Sequence, residues 1–186
     1  MKRENKIVLV WVYSHNNLKG LKQTVKSFFD STYIAKLIYI EDDNSDNQVE
    51  VKLFVDSAMQ QGLTGYFNAC PNHIGMIECL KSNTIIKRLD FDYILIIDDK
   101  CILDKNCVSN FVHYGIKKPL IGSIDKKNED LIGWFLPKDY FKMIIAEDKA
   151  YLHPDIVENA VIHINSPKES KKFKKLKDMV GKIWKK

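Results

Sequence analysis

Short apolar runs alternate along the first half of this chain with longer segments in which apolar residues recur every three or four positions. The short runs are rich in β-branched and aromatic residues, which is typical of buried strands. They cover residues 6–13, 36–41, 65–69 and 93–97. The longer segments predict helices over residues 18–29, 49–61 and 76–87. Strands that alternate with helices predict an α/β fold, in which helices cover both faces of an open, mostly parallel sheet.

The alternation weakens after Asp104. The pattern there predicts a short helix at 108–114, a polar loop at 122–130, a strand at 131–136, a helix at 139–145 and a late strand at 160–164. The composition changes at residues 166–167, a Ser-Pro pair. We therefore expect one folded domain over residues 1–167 and a separate tail over 168–186.

Length and composition limit the classes of protein to which this chain can belong. It has 186 residues, of which 45% are hydrophobic, enough for the core of one domain. No apolar run approaches the ~20 residues of a membrane span, and the first residues lack a signal-peptide pattern. We therefore expect a cytoplasmic location.

The four cysteines favour reduced thiols over a disulfide framework. A zinc site built from Cys70, His73 and Cys79 is conceivable, although the chain has no CxxC pair.

Positive charge is concentrated in the tail. Residues 168–186 hold nine lysines against Glu169 and Asp178, a net charge of +7, so the remainder carries −2 of the overall +5. Apolar residues recur among these lysines at three- and four-residue spacing, which predicts a basic amphipathic helix. Such a helix fits peripheral contact with an anionic membrane at its inner face. Docking onto the domain or a sister subunit is one alternative, and contact with a nucleic-acid backbone is another.

Two adjacent carboxylates, Asp98 and Asp99, end the most apolar of the predicted strands. Ligands of parallel α/β sheets gather at the carboxyl ends of the strands. Carboxylates at such a position suit Mg²⁺ or Mn²⁺ that also contacts a phosphate. An acidic turn without a ligand is the alternative.

Polar clusters also follow two other predicted strands. Residues 13–16 (Tyr-Ser-His-Asn) follow the first, and residues 42–46 (Asp-Asp-Asn-Ser-Asp) follow the second. Each cluster alone is a common kind of turn. Because parallel strands end at the same edge, we expect all three clusters to converge on one anionic site.

The order and spacing of these clusters resemble the nucleotide-sugar-binding half of GT-A glycosyltransferases of the family-2 type. The resemblance covers residues 5–112, and a looser one continues to residue 167. It implies a three-layer α/β/α GT-A fold and transfer of a sugar, with inversion, from a nucleotide-diphosphate donor, UDP-sugars being favoured. The implied acceptor is a glycan or a lipid-linked molecule, with DNA as a further alternative.

The resemblance also implies roles for individual residues. Tyr13 and His15 would flank the base or ribose, and Asp43 would contact the nucleoside. Asp98 and Asp99 would meet the ribose and a diphosphate bridged by Mn²⁺ or Mg²⁺. Lys81, on the helix after an Asn-x-Gly-like loop at 72–75, would lie near the diphosphate, and His163 on the late strand would reach the metal.

This chain departs from the family pattern in its DXD-like motif. The third position is usually acidic, and here it is Lys100. An ammonium there would weaken metal binding by repulsion or take over part of the metal's role. The sequence is therefore compatible with both a metal-dependent and a metal-independent donor site.

An inverting transferase also needs a carboxylate that removes the proton of the acceptor hydroxyl. The resemblance places this base on an acidic pair in the second half, where Glu147 and Asp148 are the first candidates and Glu129 and Asp130 the second. Exposed surface acids are the alternative for both pairs.

Two other functions compete with this interpretation. A nucleotidyltransferase would share the sheet and the carboxylates, but it normally carries a glycine-rich basic loop after the first strand. A transferase fold that has lost catalysis and serves as a binding or assembly subunit would explain Lys100 and the short second half.

Overall fold

The computed structural model describes residues 6–114, 119–124, 132–146 and 155–164. The strands are β1 (Val8–Ser14), β2 (Lys36–Asp42), β3 (Gly65–Ala69), β4 (Tyr93–Asp98), β5 (Cys101–Leu103), β6 (Leu120–Ile124), β7 (Trp134–Pro137) and β8 (Asp155–Ile164). The helices are α1 (Leu18–Asp30), α2 (Gln48–Gln60), α3 (Met76–Ser82), α4 (Cys107–Tyr114) and α5 (Lys138–Ala146).

The strands form one sheet in the order β3-β2-β1-β4-β7-β6-β8-β5. The first four of these are parallel to one another. Strand β7 is antiparallel to both β4 and β6, while β8 runs parallel to β6 and antiparallel to β5. The predicted α/β fold with a mostly parallel sheet is confirmed.

Two apolar clusters lie on opposite faces of the sheet. One contains buried side chains of α1, α2 and α4, including Phe28, Val55 and Phe111. The other contains those of α3 and α5, including Leu80 and Phe141. Alternate residues of β1 contribute to the two clusters, because successive side chains of a strand point to opposite faces. The sheet is therefore the middle of three layers.

Helix α3 is shorter than the 76–87 predicted from the sequence. It ends at Ser82, because the backbone of Asn83 turns to an extended conformation. The side-chain oxygen of Asn83 then accepts hydrogen bonds from the N–H groups of Ile85 and Ile86, and a single 3₁₀ turn follows at Ile86–Arg88. Asparagine favours such local bonds over the helical ones.

Two strands differ from the sequence-based expectation. The start of the loop predicted at 122–130 was wrong, because residues up to Ile124 belong to β6, which lies between β7 and β8. Strand β5 was not predicted, since three residues give too short a pattern to identify. Residues 125–130 lie outside the described part of the chain.

Within the described residues, no helix is both long enough and apolar enough to cross a membrane. The basic tail at 168–186 lies outside the described residues.

Gly20 allows α1 to approach the end of β4 closely. A Cβ atom at this position would lie 2.2 Å from the backbone oxygen of Asp99 and 2.2 Å from the side-chain nitrogen of Asn17. Non-bonded heavy atoms do not approach a Cβ atom this closely, so any larger residue must displace the helix. Glycine is therefore required here by proximity rather than by backbone conformation.

We predict that Gly20→Ala lowers the free energy of unfolding by about 1–3 kcal/mol, the usual cost of overpacking. Lys19→Ala, at an exposed neighbouring position of the same helix, should change it by less than about 0.5 kcal/mol. Urea unfolding monitored by circular dichroism measures both values. Equal stability of the two variants would show that α1 does not need this close approach.

Candidate functional site

The ends of β1, β2 and β4 meet at one edge of the sheet. Tyr13 lies opposite both Glu41 and Asp98 in the parallel registers. The N–H of Asp43 donates to the backbone oxygen of Ser14 at 2.8 Å, and the N–H of Asp99 donates to that of Tyr13 at 2.9 Å. The predicted convergence of the three polar clusters is therefore observed. We call residues 13–17, 42–46 and 98–100 the rim.

Asp99 ties the end of β4 to the turn that follows β1. One carboxylate oxygen accepts from the hydroxyl of Ser14 and the N–H of His15, both at 3.1 Å. The other accepts from the side-chain nitrogen of Asn17 at 2.9 Å. Asp99 is only 4% exposed, so these bonds replace the water that an ionised carboxylate would otherwise need.

Asp43 holds the 71–75 loop that connects β3 to α3. Its Oδ1 accepts from the N–H of Ile74 at 2.9 Å, and its Oδ2 accepts from the N–H of Gly75 at 2.8 Å and from the hydroxyl of Tyr13 at 2.7 Å. Nδ1 of His73 lies 2.7 Å from the same Oδ2. Gly75 has a φ of +86°, a conformation that glycine adopts without strain.

The two buried carboxylates respond differently to these surroundings. Burial raises the pKa of Asp99, and the neighbouring charge of Asp98 adds to this, although the bonds from Asn17, His15 and Ser14 oppose it. Burial also acts to raise the pKa of Asp43, but the hydrogen bonds from the Ile74 N–H, Tyr13 and the Gly75 N–H outweigh it, so its pKa is lowered. Asp43 is thus held in its ionised form.

The imidazole rings of His15 and His73 stack on each other beside Asp43. The ring centroids of His15 and His73 are 4.2 Å apart and their planes differ by 28°. Nδ1 of His15 lies 2.7 Å from the backbone oxygen of Asp43, and since a carbonyl only accepts, this nitrogen carries the proton. The side chain of His73 is 55% exposed. The stack presents an aromatic surface next to a fixed negative charge.

Asn16 adopts a left-handed backbone conformation with a φ of 55°. Its N–H donates to the hydroxyl of Ser45 at 2.8 Å, and its side-chain oxygen accepts from the N–H of Asp46 at 2.7 Å. Asparagine tolerates this conformation better than most residues. These bonds join the turns after β1 and β2 into one surface.

One carboxylate oxygen of Asp98 is free of hydrogen bonds from the described residues. Its Oδ1 accepts from the N–H of Lys100 at 2.9 Å and from the thiol of Cys101 at 3.2 Å. The ammonium of Lys100, whose side chain is 54% exposed, lies 3.9 Å from its Oδ2. Although Asp98 is only 7% exposed, its Oδ2 keeps the capacity to bind a cation.

At Asp98 and Asp99, the rim fits a metal held through one carboxylate better than a closed protein cage. Among the described residues, neither Asp98 nor Asp99 belongs to a group of three metal-binding side chains with converging ligand atoms. Mg²⁺ commonly binds through one or two carboxylates together with substrate phosphates. Oδ2 of Asp98 meets that requirement, whereas both oxygens of Asp99 already accept hydrogen bonds.

The other predicted site residues lie farther from this arrangement or outside the description. Lys81 lies in the last turn of α3. His163 is exposed on β8, opposite Ile102 of β5. Its role as a metal ligand stays a prediction. Glu147, Asp148, Glu129 and Asp130 lie outside the described residues.

The sequence did not indicate the roles of three residues at or beside the rim. Ser14 was interpreted as part of a polar turn and Asn17 was given no role at the site, yet both donate to Asp99. His73 was considered only as a zinc ligand, yet it contacts Asp43. Ser14 could have been found from the register, because it ends β1, which lies between two strands that end in aspartates. The position of His73 depends on a loop conformation that its sequence does not specify.

Comparison with solved structures places this fold among GT-A glycosyltransferases. A TM-score of 0.64 relates it to S. aureus TarS 1–349, at 11% identity over 87% of this chain and 61% of that one. The mannosyltransferase PcManGT from Pyrobaculum calidifontis, in complex with GDP-Man and Mn²⁺, gives a TM-score of 0.66 at 13% identity, over 89% of this chain and 59% of that one. GalNAc-T7 with UDP, GalNAc and Mn²⁺ gives 0.52 at 22% identity, over 65% and 24%.

These similarities confirm the GT-A fold that the sequence predicted. The chain spans about three-fifths of the length of the first two structures. No protein-family model matches the sequence, and no curated protein matches it.

We predict that Asp43→Asn lowers the free energy of unfolding by about 2–3 kcal/mol at pH 7, because it removes a charged acceptor from buried donors. The folded-state pKa of Asp43 lies below its ordinary value of 3.8. The stabilisation is therefore complete above about pH 4 and is lost as the pH falls through the folded-state pKa. Urea unfolding at pH 7 and pH 3.5 should show a smaller difference between the two proteins at the lower pH.

Asp46→Asn is the matched control for this measurement, since Asp46 belongs to the same turn and is exposed. It should change the stability by less than about 0.5 kcal/mol at either pH. A difference between wild type and Asp43→Asn that stays constant with pH would contradict the lowered pKa.

Proposed function

We propose that this protein is a glycosyltransferase that transfers a sugar from a nucleotide-diphosphate donor bound at the rim. The observation that carries the proposal is the junction of three strand ends at Ser14 and His15, which lie between the buried carboxylates of Asp43 and Asp99. Its position at the carboxyl ends of parallel strands is where α/β sheets bind ligands. The GT-A neighbours, crystallised with GDP-Man or UDP, support the same class of donor.

The nucleoside would lie against the aromatic side of the rim. Tyr13, His15 and His73 offer flat faces on which a base can stack. Asp43 is fully buried and its oxygens are occupied. A direct bond from Asp43 to the nucleoside would therefore require the 71–75 loop to open. Without that opening, Asp43 acts by holding Tyr13 and the loop in place.

The diphosphate would lie toward Asp98 and Lys100. Asp98 would hold Mn²⁺ or Mg²⁺ jointly with the donor phosphates, and the ion supplies Lewis-acid stabilisation of the departing diphosphate. The exposed ammonium of Lys100 can neutralise part of the same charge, as can Lys81 if the donor reaches α3. Asp99 positions the turn after β1, against which the donor would rest. His163 is retained as a further candidate ligand.

The residues that we assign to the acceptor side lie outside the described residues, so they are identified from the sequence. We assign the base that deprotonates the acceptor hydroxyl to Glu147 or Asp148, which directly follow α5 in the chain. Attack by that hydroxyl on the face opposite the departing diphosphate would invert the anomeric carbon. A basic tail that binds an anionic membrane would suit a lipid-linked or surface glycan as acceptor.

We predict that UDP or GDP binds the protein and that Mn²⁺ strengthens the binding. Asp98→Asn should weaken Mn²⁺-dependent binding at least tenfold, since losing one charged partner costs more than about 1.4 kcal/mol. Isothermal titration with UDP, GDP and CDP, each with and without Mn²⁺, measures this. Asp56→Asn, on the exposed face of α2, is the matched control and should bind like wild type.

Absence of binding by all three nucleotides would contradict the proposal. Binding that is unaffected by Asp98→Asn would place the nucleotide elsewhere on the molecule. Binding that is lost in Lys100→Ala but indifferent to Mn²⁺ would show that the ammonium replaces the ion.

We predict that Glu147→Gln or Asp148→Asn lowers kcat by about 10²–10⁴-fold, the usual contribution of a general base. The KM for the donor should stay unchanged, because these side chains would act on the acceptor. Release of the nucleotide diphosphate in the presence of candidate glycan acceptors is the assay. Full activity in both variants, with loss in Glu129→Gln or Asp130→Asn, would transfer the role to the second acidic pair.

A binding or assembly subunit without transferase activity is the second candidate function. The contact of Lys100 with Asp98 favours it, because an ammonium occupies the place where a metal would approach. Such a subunit would bind the nucleotide yet neither transfer sugar nor hydrolyse the donor. Donor turnover that disappears in Asp98→Asn would exclude this function.

A further inference from the structure

A second cluster of potential ligands lies beneath the rim, around Glu41, Cys70 and Cys79. All three side chains are buried, at 1%, 6% and 0% exposure. Sγ of Cys70 lies 3.5 Å from Sγ of Cys79 and 3.3 Å from Oε1 of Glu41. The three ligand atoms all lie within 4.8 Å of one another. Zn–S bonds of about 2.3 Å and Zn–O bonds of about 2.0–2.2 Å span separations of this size.

The burial of Glu41 among neutral donors is the second observation that points to a cation. The donors that contact its carboxylate among the described residues are all neutral, namely Trp11, Asn68, Cys70 and Asn83. Buried charges are normally paired with an opposite charge or coordinate a metal. A cation between the two sulfurs and Oε1 would supply the missing positive charge.

We propose that Glu41, Cys70 and Cys79 form a zinc site that is separate from the nucleotide rim. Two thiolates and one carboxylate suit Zn²⁺, because sulfur ligands select soft or borderline metals over Mg²⁺ and Mn²⁺. The zinc site considered from sequence contained His73, but that side chain contacts Asp43 instead. Glu41 replaces His73 as the third ligand. It lies on β2 directly before the rim aspartates, and its Oε1 is 3.3 Å from Sγ of Cys70.

Neighbouring side chains orient Glu41 as a ligand, and a cleft beside it gives access to the cluster. The side-chain nitrogen of Asn68 donates to Oε1 of Glu41 at 2.6 Å, and Asn83 donates to Oε2. Such outer bonds orient a ligating carboxylate. Glu41, Cys70 and Asn83 also line a cleft of ≈ 380 Å³. The cleft gives the ion a route of entry and leaves room for a water as fourth ligand.

The separation of the two sulfurs fits a shared metal ion. Cys70 and Cys79 are free cysteines whose Sγ atoms lie 3.5 Å apart. A disulfide bond would bring them to about 2.05 Å, whereas two thiolates bound to one Zn²⁺ at about 2.3 Å lie at close to the observed separation. Binding of the ion would release the thiol protons.

The site would be coupled to the rim through Cys79. Cys79 lies four residues after Gly75, whose N–H donates to Asp43, the residue that holds the 71–75 loop. Cys70 and Cys79 flank that loop, one on each side. An ion that joins them would fix both ends of the segment carrying His73, the amide of Ile74 and Gly75.

Cobalt substitution tests the proposal, since Co²⁺ bound to thiolates gives a charge-transfer absorption that oxygen ligands do not. The full chain is reduced, stripped with chelator and titrated with CoCl₂ and then with ZnCl₂. We expect one equivalent of Co²⁺ to produce the sulfur band, one equivalent of Zn²⁺ to abolish it, and about two protons to be released. An ion bound at Asp98 gives no such band, so failure here and failure of the proposed function are distinguishable.

Four variants locate the site. Cys70→Ala and Cys79→Ala should each lose the band, whereas Cys107→Ala, at an equally buried position in the opposite cluster, should retain it. Glu41→Gln keeps both thiols and should weaken Zn²⁺ binding at least about tenfold. Circular dichroism checks that each variant is folded. Should Cys70→Ala or Cys79→Ala be unfolded, the wild-type band and Glu41→Gln decide the question.

Two results would overturn the proposal. One is the absence of a sulfur band in the wild-type protein. The other is a band that persists in both folded cysteine variants. In the first case, a Cys70–Cys79 disulfide formed under mild oxidant would identify the pair as a redox couple instead.

Discussion

The structure of the site depends on the parallel register of β1 with β2 and β4. This register brings two buried carboxylates, Asp43 and Asp99, to either side of the turn at Ser14 and His15. Burying an ionised carboxylate is costly unless hydrogen bonds replace its water. Here the donors come from the turn after β1 and from the 71–75 loop. The two carboxylates thereby fix the loops that would contact a ligand.

The polar residues at the rim fall into two groups, those that support the loops and those that can contact a ligand. Asp43 and Asp99 are buried and their oxygens are occupied, so they position other groups. Lys100 and the stacked histidines lie at the surface of the rim, where a ligand can reach them. Asp98 is also buried, at 7% exposure, but its Oδ2 accepts no hydrogen bond from the described residues. The aspartates of the rim therefore act partly as structural support.

Much of this arrangement could be predicted from the sequence. The apolar runs of β1, β2 and β4 are long and bounded by polar turns, so both the strands and their common edge followed from periodicity. The second half was harder, because β5 and β7 have three and four residues and β6 pairs with a strand distant in sequence. The end of α3 at Asn83 depends on a side-chain bond that competes with the helix.

The site was predictable in position more than in detail. That Asp43 and Asp99 lie together followed from strand order alone. That Asp99 faces Asn17, and Asp43 faces Ile74 and Gly75, depends on loop conformations that the spacing of residues does not encode. The cluster of Glu41, Cys70 and Cys79 joins a strand, a loop and a helix, so it becomes visible only in the folded chain.

In the proposed function, the rim binds the diphosphate of a nucleotide sugar. Crystals soaked with UDP and MnCl₂, with anomalous diffraction recorded for manganese, test this claim most directly. We predict an anomalous peak at Oδ2 of Asp98, with the diphosphate beside Lys100 and the base against Tyr13 and His15. Nucleotide density away from the ends of β1, β2 and β4 would contradict the account.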